Sequence, residues 1–232
     1  MQSIKNAIPN SFTLANLACG LLGIVWAFDG KLEAAAYLIW LAAAFDFLDG
    51  FMARILKATS EIGKQLDSLA DMVTFGVLPS FIYFQLFQNQ LPTPFTYLAF
   101  ATALLSALRL AKFNIDEDQK TEFIGLPTPA SAILVSSIPL ILVGESFLRP
   151  LFAEPWVLLA ICLVFSALLV TPVTLFSLKF SNFKWRGNEL RWLFIIITLA
   201  LIITFRLNSI PMVIVSYLLL SIFMKNDKKS TS

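Results

Sequence analysis

Long apolar runs, interrupted at short intervals by polar or turn-forming residues, follow one another along nearly the whole chain. About 20 apolar residues in α-helical form are enough to cross the hydrocarbon layer of a membrane. Their spacing predicts helices near 9–28, 33–57, 64–88, 94–113, 128–148, 155–179, 190–206 and 208–224. The last two are expected to fold back on each other as a tight hairpin around Asn208 and Pro211. The pattern implies an all-α integral membrane protein of about eight transmembrane helices. What remains between the runs is too short for a water-soluble domain, so residues 1–232 are expected to form one transmembrane domain.

Composition agrees with the pattern: 58% of the residues are hydrophobic and only 14% are charged, which is the membrane class. Charge adds orientation. With a cytoplasmic N-terminus, one set of loops and helix ends collects Lys5, Arg54, Lys57, Lys64, Arg109, Lys112, Lys120, Lys179, Lys184, Arg186, Arg191, Lys225, Lys228 and Lys229. That is fourteen of the seventeen basic residues, leaving Lys31, Arg149 and Arg206 on the other side. Basic residues concentrate on the cytoplasmic side of membrane proteins. Both termini are therefore expected in the cytoplasm, with the protein in the cell (inner) membrane. The first apolar run is long and is interrupted by Asn10, Thr13 and Asn16, so it is not expected to be a cleavable signal peptide. Cys19 and Cys162 show no metal-binding or redox spacing and read as buried thiols. The ending KNDKKSTS reads as a polar, frayed tail. No nucleic-acid partner is expected.

One segment conflicts with a lipid environment. Residues 46–71 read DFLDGFMARILKATSEIGKQLDSLAD, with aspartates at 46, 49, 67 and 71. Carboxylates at membrane depth are costly and mark function. Asp46 and Asp49 are i,i+3 on one predicted helix, and Asp67 and Asp71 are i,i+4 on the next, so each pair shares a face. Carboxylate oxygen is the ligand that Mg²⁺ and similar hard cations select, and paired sites of this kind commonly carry phosphoryl chemistry. Gly50 and Ala53 continue the stripe of Asp46 and Asp49 and leave it open to a bulky neighbour. Small residues also let transmembrane helices pack closely, so both readings apply to that stripe.

The segment resembles the CDP-alcohol phosphotransferase family, whose motif runs D-x-x-D-G-x-x-A-R, eight residues, then G-x-x-x-D-x-x-x-D. Asp46, Asp49, Gly50, Ala53, Arg54, Gly63, Asp67 and Asp71 fill it without departure. The resemblance implies two divalent metal ions, Mg²⁺ or Mn²⁺, among Asp46, Asp49, Asp67 and Asp71. It implies CDP contacts from Asp49, Gly50, Ala53, Arg54, Gly63 and Asp67, with the polar face of Asn10, Thr13 and Asn16 bordering the nucleotide. Asp71 would be the catalytic base. Members of the family are commonly homodimers.

The alcohol is read further on. SALRLAKFN at 106–114 and FIGLPTPA at 123–130 are similar to the phosphatidylserine synthase branch, as is GKQLDSLADMVTFGVLP at 63–79. The substrates implied are CDP-diacylglycerol and L-serine. Arg109 is suited to the amino acid carboxylate and Asn114 to its carboxylate or ammonium. Residues 46–71 are thus the motif core and 106–130 the acceptor segments. Histidine is absent, which excludes the histidine nucleophile of a phospholipase-D-like transferase. Other readings are a sister transferase for glycerol 3-phosphate or inositol phosphate, an ion or proton carrier, and a purely structural membrane protein.

Overall fold

The computed structural model describes residues 2–58, 60–115, 123–175, 185 and 188–230. Among these, eight helices of 16 residues or more run up and down: α1 Gln2–Phe28, α2 Leu32–Leu56, α3 Glu61–Phe87, α4 Thr93–Ile115, α5 Thr128–Val143, α6 Pro155–Val170, α7 Glu189–Phe205 and α8 Ser209–Ser230. Five stretches are long and apolar enough to cross a membrane: Lys5–Phe28, Leu32–Leu56, Glu61–Phe87, Thr93–Ile115 and Glu189–Ser221. The last holds two helices, since Arg206 leaves helical geometry with φ 49° and the chain doubles back there. The Phe194 and Tyr217 rings consequently meet at 5.5 Å across the hairpin. The fold is that of a helical membrane protein, with α5 and α6 as shorter apolar helices.

Most predicted boundaries lie within a few residues of the observed ones; the larger departures have local causes. The first helix begins at Gln2 instead of 9. The fifth stops at Val143, short of 148, where Gly144 turns to an extended conformation. The sixth stops at Val170, short of 179, because Thr171 and Pro172 follow and the residue before a proline disfavours the helical region. Residues 176–179 of that expected helix lie outside the described residues, as do Lys120, Lys179, Lys184 and Arg186 of the basic set. Helix α8 continues to Ser230, so most of the expected frayed tail is helical. Both cysteines are free and buried, as expected.

The core lies where the apolar half of α3 is enclosed by its neighbours. Phe75, Leu78, Ile82, Tyr83 and Phe87 are almost fully buried there, with Ile39 from α2 and Val135 and Ile138 from α5. Leu21, Val25, Leu104 and Ile203 face outward, as expected of surfaces whose solvent is lipid.

Two features were not legible beforehand. Helix α3 widens into a π-helix over Met72–Val77, immediately after Asp71. Pro79 lacks the N–H that would close an α-turn onto Phe75, and the Leu78 N–H bonds Val73 O instead. The second is a two-stranded antiparallel ladder between β1 (Phe123–Ile124) and β2 (Thr174–Leu175). After β1, Gly125 adopts φ +76°, and an added Cβ would sit 2.4 Å from Leu169 O. Gly125 N–H donates to Val173 O and Leu126 N–H to Leu168 O, both at 2.9 Å. The Gly-Leu-Pro segment therefore caps the carboxyl end of α6, and only glycine fits the crossing.

Candidate functional site

The polar residues of α1, α2 and α3 converge at the end of the bundle where α2 ends and α3 begins. Ser60 starts α3 by accepting from Gly63 N–H at 3.0 Å, an N-cap that satisfies one otherwise unpaired donor. Asp67 and Asp71 then fall on successive turns. From α2 come Asp46 and Asp49. One oxygen each of Asp46, Asp49 and Asp67 lies within 4.8 Å of the other two.

Asp49 is 7% exposed and accepts from Thr13 Oγ1 at 2.7 Å. Asp67 Oδ1 is buried with no hydrogen-bond partner. Among the described residues, no lysine or arginine nitrogen lies within 4.0 Å of any of the four aspartates. Three carboxylates held together without counter-charge, one with an orphaned oxygen, fit a divalent cation, whose preferred ligands are carboxylate oxygens. Asp71 stands apart from this trio. It accepts from Asn16 Nδ2 at 3.3 Å and is within electrostatic reach of Asp46 and Asp67.

Beside the trio opens a cavity of about 490 Å³. Of the nine residues expected at CDP, seven line it: Asn10, Thr13, Asp49, Gly50, Ala53, Gly63 and Asp67. Asn16 is fully buried deeper along α1, and Arg54 is exposed near Gly50. The two glycines differ. A Cβ on Gly50 would meet only Arg54 Nη2, at 3.7 Å, so that face is open. A Cβ on Gly63 would lie 3.0 Å from Ser60 Oγ and 3.2 Å from Asn10 Oδ1, so Gly63 lets α1 approach the start of α3. Pro9, Ala58, Ser60, Glu61 and Lys64 also line the cavity, outside the residues expected at CDP. Ser60 was findable: a serine immediately before a helix is a start signal, obscured by expecting that helix to begin at 64.

The two acceptor residues have different surroundings. Arg109 is 9% exposed, donates from Nη1 to Thr128 Oγ1 at 3.5 Å, and keeps Nε buried without a partner. A snorkelling anchor would show its guanidinium to water, and this one does not. The Asn114 side chain meets Ser68, with Nδ2 donating to Ser68 Oγ at 2.9 Å, while the Asn114 backbone carbonyl accepts from Lys64 Nζ at 3.3 Å. It ties α4 to α3 at the rim.

The fold and the site together define a helical membrane protein with a cation-suited carboxylate cluster beside an open cavity. Residues 6–173 match the family model described as CDP-alcohol phosphatidyltransferase, and the chain belongs to that family. It is similar to the CDP-diacylglycerol–serine O-phosphatidyltransferase of Bacillus subtilis, 40% identical over 124 residues that cover 53% of this chain and 70% of that protein. The Helicobacter pylori (strain 26695) protein of the same name is 33% identical over 211 residues, covering 85% and 81%. The one from Mycobacterium tuberculosis (strain H37Rv) is 34% identical over 156 residues, covering 64% of this chain and about half, 52%, of its relative.

Proposed function

We propose that this protein transfers the phosphatidyl group of CDP-diacylglycerol to the hydroxyl of L-serine, releasing CMP and forming phosphatidylserine. The observation that carries the chemistry is the convergence of Asp46, Asp49 and Asp67 within 4.8 Å, with Asp49 and Asp67 lining a cavity shared with Gly50, Ala53 and Gly63. The choice of serine rests on the names of its relatives and on the buried Arg109.

Asp46, Asp49 and Asp67 would hold divalent metal, with Asp71 completing a two-ion site of Mg²⁺ or Mn²⁺. When bound, such ions neutralise diphosphate charge and favour departure of CMP. The protein's own groups do the rest. Asn10, Thr13, Gly50, Ala53 and Gly63 shape the nucleotide's seat, with Asn16 behind it and Arg54 at its rim. Asp71, oriented by Asn16, takes the proton of the serine hydroxyl as its oxygen attacks the β-phosphorus. The new O–P bond forms as the bond to the CMP oxygen breaks, without a covalent enzyme intermediate. Arg109 holds the serine carboxylate, and Asn114 lies at the entrance.

In this reading all eight helices span the membrane, the whole chain is one domain, and both termini and the active site face the cytoplasm of the cell membrane. The working unit is a homodimer. The deciding assay uses purified protein, CDP-diacylglycerol, Mg²⁺ or Mn²⁺ and a panel of alcohols, with CMP release as readout. Preference for glycerol 3-phosphate or inositol phosphate would reject serine and leave the family chemistry standing.

A further inference from the structure

Beyond the aspartates lies a second polar group, on α4 and α5. Three of its atoms are buried without a hydrogen-bond partner: Ser106 Oγ, Arg109 Nε and Ser131 Oγ. Their residues are 0%, 9% and 1% exposed. Unmade hydrogen bonds at buried polar atoms are costly, and within the hydrocarbon layer no solvent relieves them.

Buried serines elsewhere in α5 show the usual remedy. Ser136 and Ser137 turn back and donate to Ile133 O and Leu134 O, at 2.8 and 2.6 Å. Ser131, on the same helix, makes no such bond.

The helices that carry these atoms are joined through Arg109 and Thr128. Ser106 and Arg109 are i,i+3 on α4, and Thr128 and Ser131 are i,i+3 on α5, so each pair occupies one helix face. The Arg109–Thr128 contact joins the two faces. Because the helices run in opposite directions, Ser106 and Ser131 both lie one turn further in. Both helices pack on the π-helical segment that follows Asp71, and Gly76 of that segment abuts Ser106, with an added Cβ 3.0 Å from the Ser106 Cβ. Asp71 itself lies within electrostatic reach of Arg109 but not in an ion pair with it.

Building on the serine reading above, we infer that Ser106 and Ser131, with Thr128, complete the acceptor pocket and select a small zwitterionic amino acid. The Arg109 guanidinium takes the carboxylate as a planar fork. The hydroxyl oxygens of Ser106 and Ser131 accept from the ammonium, which has three donors to place. The substrate's own hydroxyl is then left toward Asp71. Gly76 beside Ser106 keeps the space small.

The test is steady-state kinetics on the full-length protein in detergent, comparing Ser106→Ala, Ser131→Ala and Ser131→Thr with the parent. Each alanine should raise the KM for serine about tenfold, the loss of one hydrogen bond to a charged group. The KM for CDP-diacylglycerol and the melting temperature should stay near the parent's. Ser131→Thr keeps the oxygen and should restore most of the serine affinity. If both alanine variants keep the parent KM for serine, or if stability and both KM values deteriorate together, the pocket is wrong. If the parent turns over serine and the variants are indifferent, only the pocket falls; if the parent uses another alcohol and not serine, the serine reading falls with it.

Discussion

Asn16 of α1 donates to Asp71 of α3 at 3.3 Å, joining two residues 55 positions apart. Asn16 is fully buried and belongs to the polar stripe Asn10-Thr13-Asn16. Its neighbour in that stripe, Thr13, does the same for Asp49. The first helix thus supplies donors that orient carboxylates on the second and third. Asn16→Ala should lower kcat about tenfold, the value of one hydrogen bond to a charged group, with a smaller change in either KM. An equal loss from a variant at exposed Ser11 would show that α1 acts only through stability.

Asp71→Asn should abolish turnover while the protein still binds CDP-diacylglycerol. Asp71 stands outside the trio of converging oxygens, as suits a group that handles a proton. Binding measured by the ligand-induced rise in melting temperature separates the roles. If binding is lost as completely as turnover, Asp71 serves chiefly as a metal ligand.

Chelation should remove activity, and Mg²⁺ or Mn²⁺ should restore it. Asp46→Asn, Asp49→Asn and Asp67→Asn each keep size and remove charge. Each should cost on the order of 10³-fold in kcat, because bound metal supplies several kcal/mol of transition-state stabilisation. Near-parent turnover in any of the three would refute the metal assignment.

Gly50→Leu and Gly63→Leu should part company. The Gly50 face is open, so its variant should keep the parent melting temperature and lose the stabilisation given by CDP-diacylglycerol. Gly63 is closely approached by Ser60 and Asn10, so its variant should melt lower even without ligand. Ala53→Leu should follow Gly50, since Ala53 lines the same cavity. Identical behaviour of all three would mean that the cavity wall is a helix-packing surface.

Arg109→Lys retains charge but not the fork that matches a carboxylate. The serine KM should rise strongly and the CDP-diacylglycerol KM little. Ethanolamine, which has no carboxylate, should be a poor substrate, because it leaves the buried guanidinium unpaired. Good turnover of ethanolamine would remove Arg109 from the acceptor site.

The eight helices and the aspartate motif were legible because both are local. Apolar run length sets a helix, and i,i+3 or i,i+4 spacing places Asp46 with Asp49 and Asp67 with Asp71 without knowledge of the rest of the fold. What was hidden depends on distant partners. Nothing near Ser106 or Ser131 says that their hydroxyls stay free, since Ser136 looks the same in sequence and bonds its own helix. Gly125 looks like a turn glycine until Leu169 is brought against it. The Asn114 side chain has its partner at Ser68, 46 positions away, where no local pattern points. The π-segment Met72–Val77 has no distinctive residue pattern, and only the backbone hydrogen bonds separate it from an α-helix.

Helices α5 and α6 have 16 residues each, a rise of roughly 24 Å against a hydrocarbon layer of about 30 Å. A bilayer meets a short helix by thinning around it. Both helices have an end at the Gly125 crossing, close to Arg109. In the proposed membrane reading, thinning along α6 would bring headgroups and water nearer that end of the bundle. In the proposed reaction a water-soluble alcohol and a lipid-borne diphosphate would meet there at one depth, neither leaving its own phase.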